Sequence, residues 1–215
     1  MQLHQFTFNP FMENTFVLYD RTGECVIVDP GCHMAREQQM LREFIAQKEL
    51  TPTRLLNTHC HLDHVFGNAW VAEHWGLSLE IHEKELPILQ AVPEYAGMYG
   101  ISAAPSPEPS RYIVPGERIQ FGETELEVHF APGHSPGHVV FFHRQSQQLI
   151  GGDVLFLGSI GRTDLPGGNM ETLMESIFQT ILPLGDAVTV HPGHGPHTTL
   201  GHERRQNPFL LQYAG

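Results

Sequence analysis

Short apolar runs alternate with stretches of helical period along the first half of the chain. Thr15 to Tyr19 (TFVLY) and Cys25 to Val28 (CVIV) are β-rich, and Arg21-Thr22-Gly23 between them predicts a hairpin. After Asp29-Pro30-Gly31, the positions of Met40, Leu41, Phe44 and Ile45 predict an amphipathic helix over Met34 to Lys48. Arg54 to Asn57 (RLLN) reads as a buried strand running into Thr58-His59-Cys60-His61-Leu62-Asp63-His64. Val65 to Trp75 is expected to be helical, Leu79 to His82 a strand and Glu83 to Gln90 a short helix.

Ala103 to Ser110 (AAPSPEPS), near the midpoint, is Pro- and Ser-rich and should be extended and close to the surface. Strand patterns follow at Arg118 to Phe121, Glu125 to Phe130, Val139 to His143 and Gln148 to Ile150, with a turn at Gly122-Glu123. Met170 to Ile181 places Leu173, Ile177, Phe178 and Ile181 on one helical face and Glu171 and Glu175 on the other. A last strand, Ala187 to Val190, leads into His191-Pro192-Gly193-His194-Gly195. Both halves run from strands through His-bearing loops into helices. The expectation is one α/β domain over residues 1–215, its halves joined near residues 103–110.

Composition narrows the function classes. The 215 residues are enough to bury a core without a disulfide or metal staple, and the formal net charge is −12. With no basic run, the chain is not expected to hold nucleic acid or an anionic membrane by counterion release. No stretch of about 18 apolar residues and no leader-like start are visible, so a cytoplasmic protein is expected. Cys25, Cys32 and Cys60 lack framework spacing and read as small reduced side chains. Histidine is in excess: 15 His stand against 12 Lys plus Arg.

Part of that excess is concentrated in a ligand pattern. His59, His61, Asp63 and His64 form H-x-H-x-D-H at the exit of a buried strand, where a loop can fan them toward two adjacent cations. Ala131-Pro132-Gly133-His134, Gly151-Gly152-Asp153 and Pro192-Gly193-His194 each follow a β run, where Gly lets the backbone turn sharply. Imidazole and carboxylate ligands suit two divalent ions, zinc ahead of iron or manganese.

These segments resemble the metallo-β-lactamase superfamily over nearly the whole chain. The resemblance implies an αββα four-layer sandwich of two mixed β-sheets flanked by helices. It also implies that His59, His61 and His134 hold one metal, that Asp63, His64 and His194 hold the second, and that Asp153 bridges them. Asp29, in the V-D-P-G turn, would support the metal loop from behind the ligands. The nucleophile would be a metal-bound hydroxide at the site of which Asp63 is the catalytic carboxylate, with no Ser or Cys nucleophile. In short members the second metal is held weakly.

Within the superfamily, class B β-lactamases usually carry Cys at the position of Asp153 and are exported, and flavo-diiron oxygen reductases carry Glu at the position of His61. Superfamily nucleases usually add a basic arm or domain. Thr58 to His64 (THCHLDH), Ala131 to His138 (APGHSPGH), Gly151 to Gly168 (GGDVLFLGSIGRTDLPGG) and Pro192 to Leu200 (PGHGPHTTL), then Asn207-Pro208-Phe209-Leu210, resemble glyoxalase II, the hydroxyacylglutathione hydrolases, in their short single-domain, YcbL-like branch. That implies hydrolysis of S-D-lactoylglutathione or a related hydroxyacyl thioester, as in methylglyoxal detoxification. The C-terminal glutathione-binding helical domain of longer members is not expected here.

Arg162 matches the neighbourhood where the family binds the glutathione moiety, against a loop-ordering pair of Arg162 with Asp164. Arg204 and Arg205 read as a solvated helix face, and His138 as a hydrogen-bonding neighbour of the ligands. Phe156 and Leu157 wall the site or pack beneath it, and the other histidines read as ordinary polar or half-buried residues. Persulfide dioxygenases, which hold one iron, share THCHxDH and the Gly161 to Asp164 stretch, but read H-D-Y where this chain has His194-Gly195-Pro196. A lactonase using the same site on an oxygen ester is the second alternative, and a non-enzymatic metal-binding protein a third. The oligomeric state is left open.

Overall fold

The computed structural model describes residues 1–214. The chain forms two compact units, one of Met1–Ile113 with Ile119–Glu125, the other of Val114–Arg118 with the chain from Leu126 on.

The first unit is built on a six-stranded sheet in the order β1-β2-β3-β4-β5-β6. Its edge strand β1 (Gln2–Phe8) lies outside the expected elements. Polar Gln and Thr alternate there with His4, Phe6 and Phe8, and His4 completes the apolar face by stacking on Phe44 at 4.0 Å between ring centroids. β1 pairs antiparallel with β2 (Glu13–Tyr19), and β2 with β3 (Glu24–Val28), as the hairpin pattern predicts. Helix α1 (Ala35–Gln47), burying Leu41 and Ile45, returns the chain so that β4 (Thr51–Leu56) runs parallel to β3. That crossover carries β4 straight into the His59 loop.

The expected Val65–Trp75 helix is two helices, α2 (Leu62–Val65) and α3 (Asn68–Trp75). They part at Gly67, whose N–H reaches the Pro30 carbonyl at 2.7 Å, and a Cβ there would meet Cys32 Sγ at 2.5 Å. After β5 (Leu79–Ile81), the helix expected to end at Gln90 runs on as α4 (Leu86–Met98), with Pro93 inside it. β6 (Arg111–Tyr112) closes the sheet. The core gathers Phe8, Val17, Ile27, Leu41, Leu55, Val71, Leu79 and Ile81, all buried.

The second sheet has the order β14-β13-β10-β9-β8-β7. β7 (Arg118–Phe121) and β8 (Thr124–Phe130) form a hairpin, and β8, β9 (Val139–His143) and β10 (Gln148–Gly152) pair antiparallel. A short ribbon of β11 (Leu155–Phe156) and β12 (Ser159–Ile160) follows. Then comes α5 (Met170–Glu175), continued by a π-helical turn over Ser176–Ile181 in which the Ser176 hydroxyl bonds the Pro132 carbonyl. β13 (Thr189–Pro192) pairs parallel with β10, and β14 (Thr198–Thr199) antiparallel with β13. Helices α6 (Leu200–Gln206) and α7 (Pro208–Ala214) follow. Val140, Phe142, Leu149, Leu173, Ile177, Val190 and Leu200 form the core of this unit. The architecture is two mixed sheets flanked by helices, and no helix among the described residues is long and apolar enough to cross a membrane.

Candidate metal centre

In the first unit, β4 delivers His59 into a buried loop and α2 carries Asp63 and His64. His59 and His64 are fully buried, and their ring centroids lie 4.1 Å apart; His61, half-buried, is 4.9 Å from His59 by the same measure. Asp29 organises this loop. Its Oδ1 accepts the Thr58 N–H at 2.7 Å, and its Oδ2 accepts the Thr58 hydroxyl at 2.6 Å and faces His64 Nδ1 at 3.2 Å.

Those contacts fix both imidazoles. A hydroxyl has one proton, so with that proton on Asp29 the Thr58 oxygen accepts from His59 Nδ1–H at 3.1 Å. Nδ1 is then the donor on both rings, which makes Nε2 the acceptor nitrogen of each, the form that can ligate a cation. Asp29 has φ +50°, a conformation that Asp tolerates better than most residues. Asp29, His59 and His64 have ligand-type atoms within 4.8 Å of one another.

Several bracing groups had no signal in the sequence. Asn57 Nδ2 donates to the His64 carbonyl at 3.1 Å and is itself held by Asn68. Asn9 Nδ2 donates to the carbonyls of Asp63 and Gly31, each at 3.0 Å. Glu85, fully buried, accepts the Cys60 N–H at 2.8 Å. Glu13, also buried, lies 4.0 Å from His64 Nδ1, and burial pushes its carboxyl well above the usual range. Burial, then the nearby charges of Glu85 and Asp29, raises the Cys60 thiol well above its usual value.

In the second unit, His134, Asp153 and His194 stand at three strand exits. Asp153 Oδ2 is 3.5 Å from His134 Nε2 and 3.5 Å from His194 Nε2. That is longer than an N–H···O hydrogen bond. It matches the spacing of about 3.3 Å between neighbouring ligands of a tetrahedral ion with bonds of about 2.0–2.1 Å. His134 Nδ1 is held by the Arg162 carbonyl at 2.8 Å, which turns Nε2 toward Asp153.

His138 is a hydrogen-bonding neighbour, its Nε2 accepting the Asp153 N–H at 3.0 Å. Gly161 has to lack a side chain, since a Cβ would collide with the Asp153 carbonyl. Glu203, buried beneath the ribbon, accepts from Gly158 N–H, Thr198 Oγ1 and Asn207 Nδ2. His191 is kept neutral, burial and then His197 lowering it to about 4.

The Arg162 guanidinium makes a two-point pair with Asp164, both contacts 2.7 Å, and that pairing holds Asp164 down to about 2. Arg204 bonds Asp186 on an exposed face. Phe156 lies 6.3 Å from the His194 ring, edge to face.

The donor set in both units is imidazole and carboxylate, with His59, His64 and His134 oriented by hydrogen bonds at Nδ1 on the far side of the rings. It fits divalent metal. The chain is 37% identical over 202 residues to the hydroxyacylglutathione hydrolase GloC of Haemophilus influenzae, covering 93% of each protein. Two solved structures share the fold along nearly their full length. The BLEG-1 B3 metallo-beta-lactamase is 34% identical, with a TM-score of 0.89 over 97% of this chain and 99% of that one. TTHA1623 in a di-iron-bound form is 38% identical, with a TM-score of 0.88 over 96% and 100%. Residues 8–194 match the model of the metallo-beta-lactamase superfamily, and with the metal-ligating chemistry of both units the chain belongs to that superfamily as a metal-dependent hydrolase.

Proposed function

We propose that the chain hydrolyses a hydroxyacyl thioester of the S-D-lactoylglutathione type. The observation that carries this reading is the shared Asp153 carboxylate, 3.5 Å from both His134 and His194, in a chain 37% identical to a hydroxyacylglutathione hydrolase. A thiolate leaves readily, its conjugate acid lying near pKa ~8.5, so no dedicated proton donor is demanded of the site. In this reading His59, His61 and His134 hold one ion, Asp63, His64 and His194 the other, and Asp153 both. Zinc is the first candidate, with iron and manganese next. The ions, when bound, supply an activated water and polarise the scissile carbonyl.

The protein's own groups do the rest. Asp29 and Thr58 hold the His59 and His64 rings in the tautomer that presents Nε2, and the Arg162 carbonyl does the same for His134. The Arg162 side chain would meet a substrate carboxylate by leaving Asp164. That exchange costs little, because solvent screens an exposed ion pair.

The test pairs metal analysis of the purified protein with hydrolysis of S-D-lactoylglutathione. Turnover that tracks metal content, and falls by about 100-fold or more in Asp153→Asn, is the expected result. Full activity at under about half an equivalent of metal would sink the proposal. So would oxygen uptake with glutathione persulfide, or turnover of a lactone or a cephalosporin, in place of lactoylglutathione hydrolysis.

A further inference from the structure

Behind the contacts of Asp29 and His64, a row of side-chain amides runs from the metal loop of the first unit out to a surface segment. Asn57 and Asn68 are both buried. Asn57 Nδ2 donates to the His64 carbonyl at 3.1 Å and to Asp29 Oδ1 at 3.3 Å, and Asn57 Oδ1 accepts from Asn68 Nδ2 at 2.9 Å. The same Asn68 Nδ2 donates to Ser106 Oγ at 3.2 Å.

Each link in that row has one workable direction. A carboxylate and a carbonyl only accept, so Asn57 has to turn its NH2 to Asp29 and His64, which leaves its oxygen facing Asn68. Asn68 must then present its own NH2, whose second proton goes to Ser106. Turned over, Asn68 would set one carbonyl oxygen against another. Its Oδ1 is instead left buried, with no hydrogen-bond partner among the described residues. An amide held in that state has its orientation imposed by its neighbours, Asn57 on one side and Ser106 on the other.

The chain around Ser106 keeps it in place. It lies within Pro105-Ser106-Pro107-Glu108-Pro109, in a strap without regular secondary structure that leads from α4 to β6. At one end the Ile101 N–H bonds the Ala96 carbonyl at 2.9 Å, and at the other the Ser110 N–H bonds the Leu79 carbonyl at 3.2 Å. Ala103 packs on the core between them. The three prolines lack an N–H, so the strap cannot be drawn into the sheet, and Pro107 restricts Ser106 to extended backbone. Facing it, the start of α3 is pinned separately by the Gly67 N–H on the Pro30 carbonyl.

We propose that Ser106 is a positioning residue for the metal loop. Its hydroxyl sets the Asn68 amide, Asn68 sets Asn57, and Asn57 holds the Asp29 carboxylate and the His64 carbonyl where the His64 ring presents Nε2. This rests on the reading of His64 as a metal ligand and deepens it: a surface strap, remote from the ligands in the chain, governs how firmly that ligand is held.

The test has two readouts. In the first, zinc-loaded protein is titrated with a chromogenic chelator. Ser106→Ala should weaken zinc binding by about 3–10-fold, while Ser106→Thr, which keeps the hydroxyl, should stay within about twofold of wild type. Asn68→Asp, whose carboxylate cannot donate to Asn57, should weaken it by about 10–100-fold. If that buried charge prevents folding, the Ser106 pair decides. The second readout is hydrogen exchange of side-chain amides by NMR on protein with labelled asparagine. Ser106→Ala should speed exchange of the Asn57 NH2 by about tenfold or more while the backbone amides of β4 keep their protection, which a general loss of stability would not do. Unchanged zinc affinity and unchanged Asn57 exchange in Ser106→Ala overturn the relay, as does an equal loss of affinity in Ser106→Thr. Wild-type protein that takes up no zinc, with the Asn57 amide still released in Ser106→Ala, keeps the relay and overturns His64 as a ligand.

Discussion

Asp29 shows how much of this site is decided one residue behind the ligands. The side chain touches no substrate, yet it takes the Thr58 N–H and hydroxyl and faces His64 Nδ1. Asp29→Asn is the cleanest perturbation, because Asn accepts the φ of +50° without new strain whereas Ala does not. One of its two side-chain oxygens becomes an amide donor, which opposes either the Thr58 N–H at the Oδ1 position or the Thr58 hydroxyl and His64 Nδ1 protons at the Oδ2 position. Metal affinity, read by competition with a chromogenic chelator, should fall about 10–100-fold, with the circular dichroism of the fold retained. Unchanged affinity would mean that the imidazoles are oriented without Asp29. In the second unit a backbone carbonyl, that of Arg162, does the equivalent work for His134.

At the scale of elements, the two turns that meet in the first unit show why local chemistry matters as much as apolar pattern. Asp20, at the end of the β2–β3 hairpin, accepts from Thr22 through Oδ1, and through Oδ2 from the Glu123 N–H and the Thr124 hydroxyl of the β7–β8 turn. Burial works against the charge, but these hydrogen bonds outweigh it and lower the carboxyl from 3.8 to about 2. A depressed acid stabilises the fold above its unfolded value and loses that contribution as pH falls toward its folded one. Asp20→Asn should therefore cost on the order of 1 kcal/mol at pH 7 in urea unfolding of metal-free protein. The gap between variant and wild type should stay constant down to about pH 4 and then close toward pH 2. A gap independent of pH to that limit would show that the charge plays no part.

The same scale separates what was legible from what was not. β2, β3, β9 and α1 follow from apolar period because burial alone decides them, and the H-x-H-x-D-H loop follows from β4 ending where polar ligands begin. β1 was missed because His4 packs as an aromatic ring while reading as a polar residue. The break at Gly67 depends on a distant carbonyl, that of Pro30, which no local pattern contains. Glu13, Asn9 and Glu203 carry their roles in buried contacts with residues remote in the chain or in partners that only the fold supplies, and charged side chains are expected at the surface until such partners are known.

For the whole molecule, the histidine excess and the charge of −12 describe a protein finished by cations. Buried carboxylates and imidazoles face one another within each unit, Asp63 beside His64 in the first and Asp153 beside His134 and His194 in the second, and a cation bound between such groups adds to the stability of the folded chain. An ion that binds the folded chain and not the unfolded one stabilises it by about 2.7 kcal/mol at a free concentration of 100 times Kd, and by about 4.1 kcal/mol at 1,000 times. For a chain of 215 residues each kcal/mol moves Tm by about 2–4 °C. Chelation followed by dialysis should therefore lower Tm by about 5–15 °C, with recovery on adding back zinc, iron or manganese in the order of their affinity. The shift should vanish in a variant carrying His59→Ala, Asp153→Ala and His194→Ala together, which separates specific binding from a general effect of divalent ions on an acidic surface. If the wild type melts at one temperature with and without metal, no cation is bound by the folded chain, and the approach of His134 and His194 to Asp153 within the second unit has some purpose other than holding one.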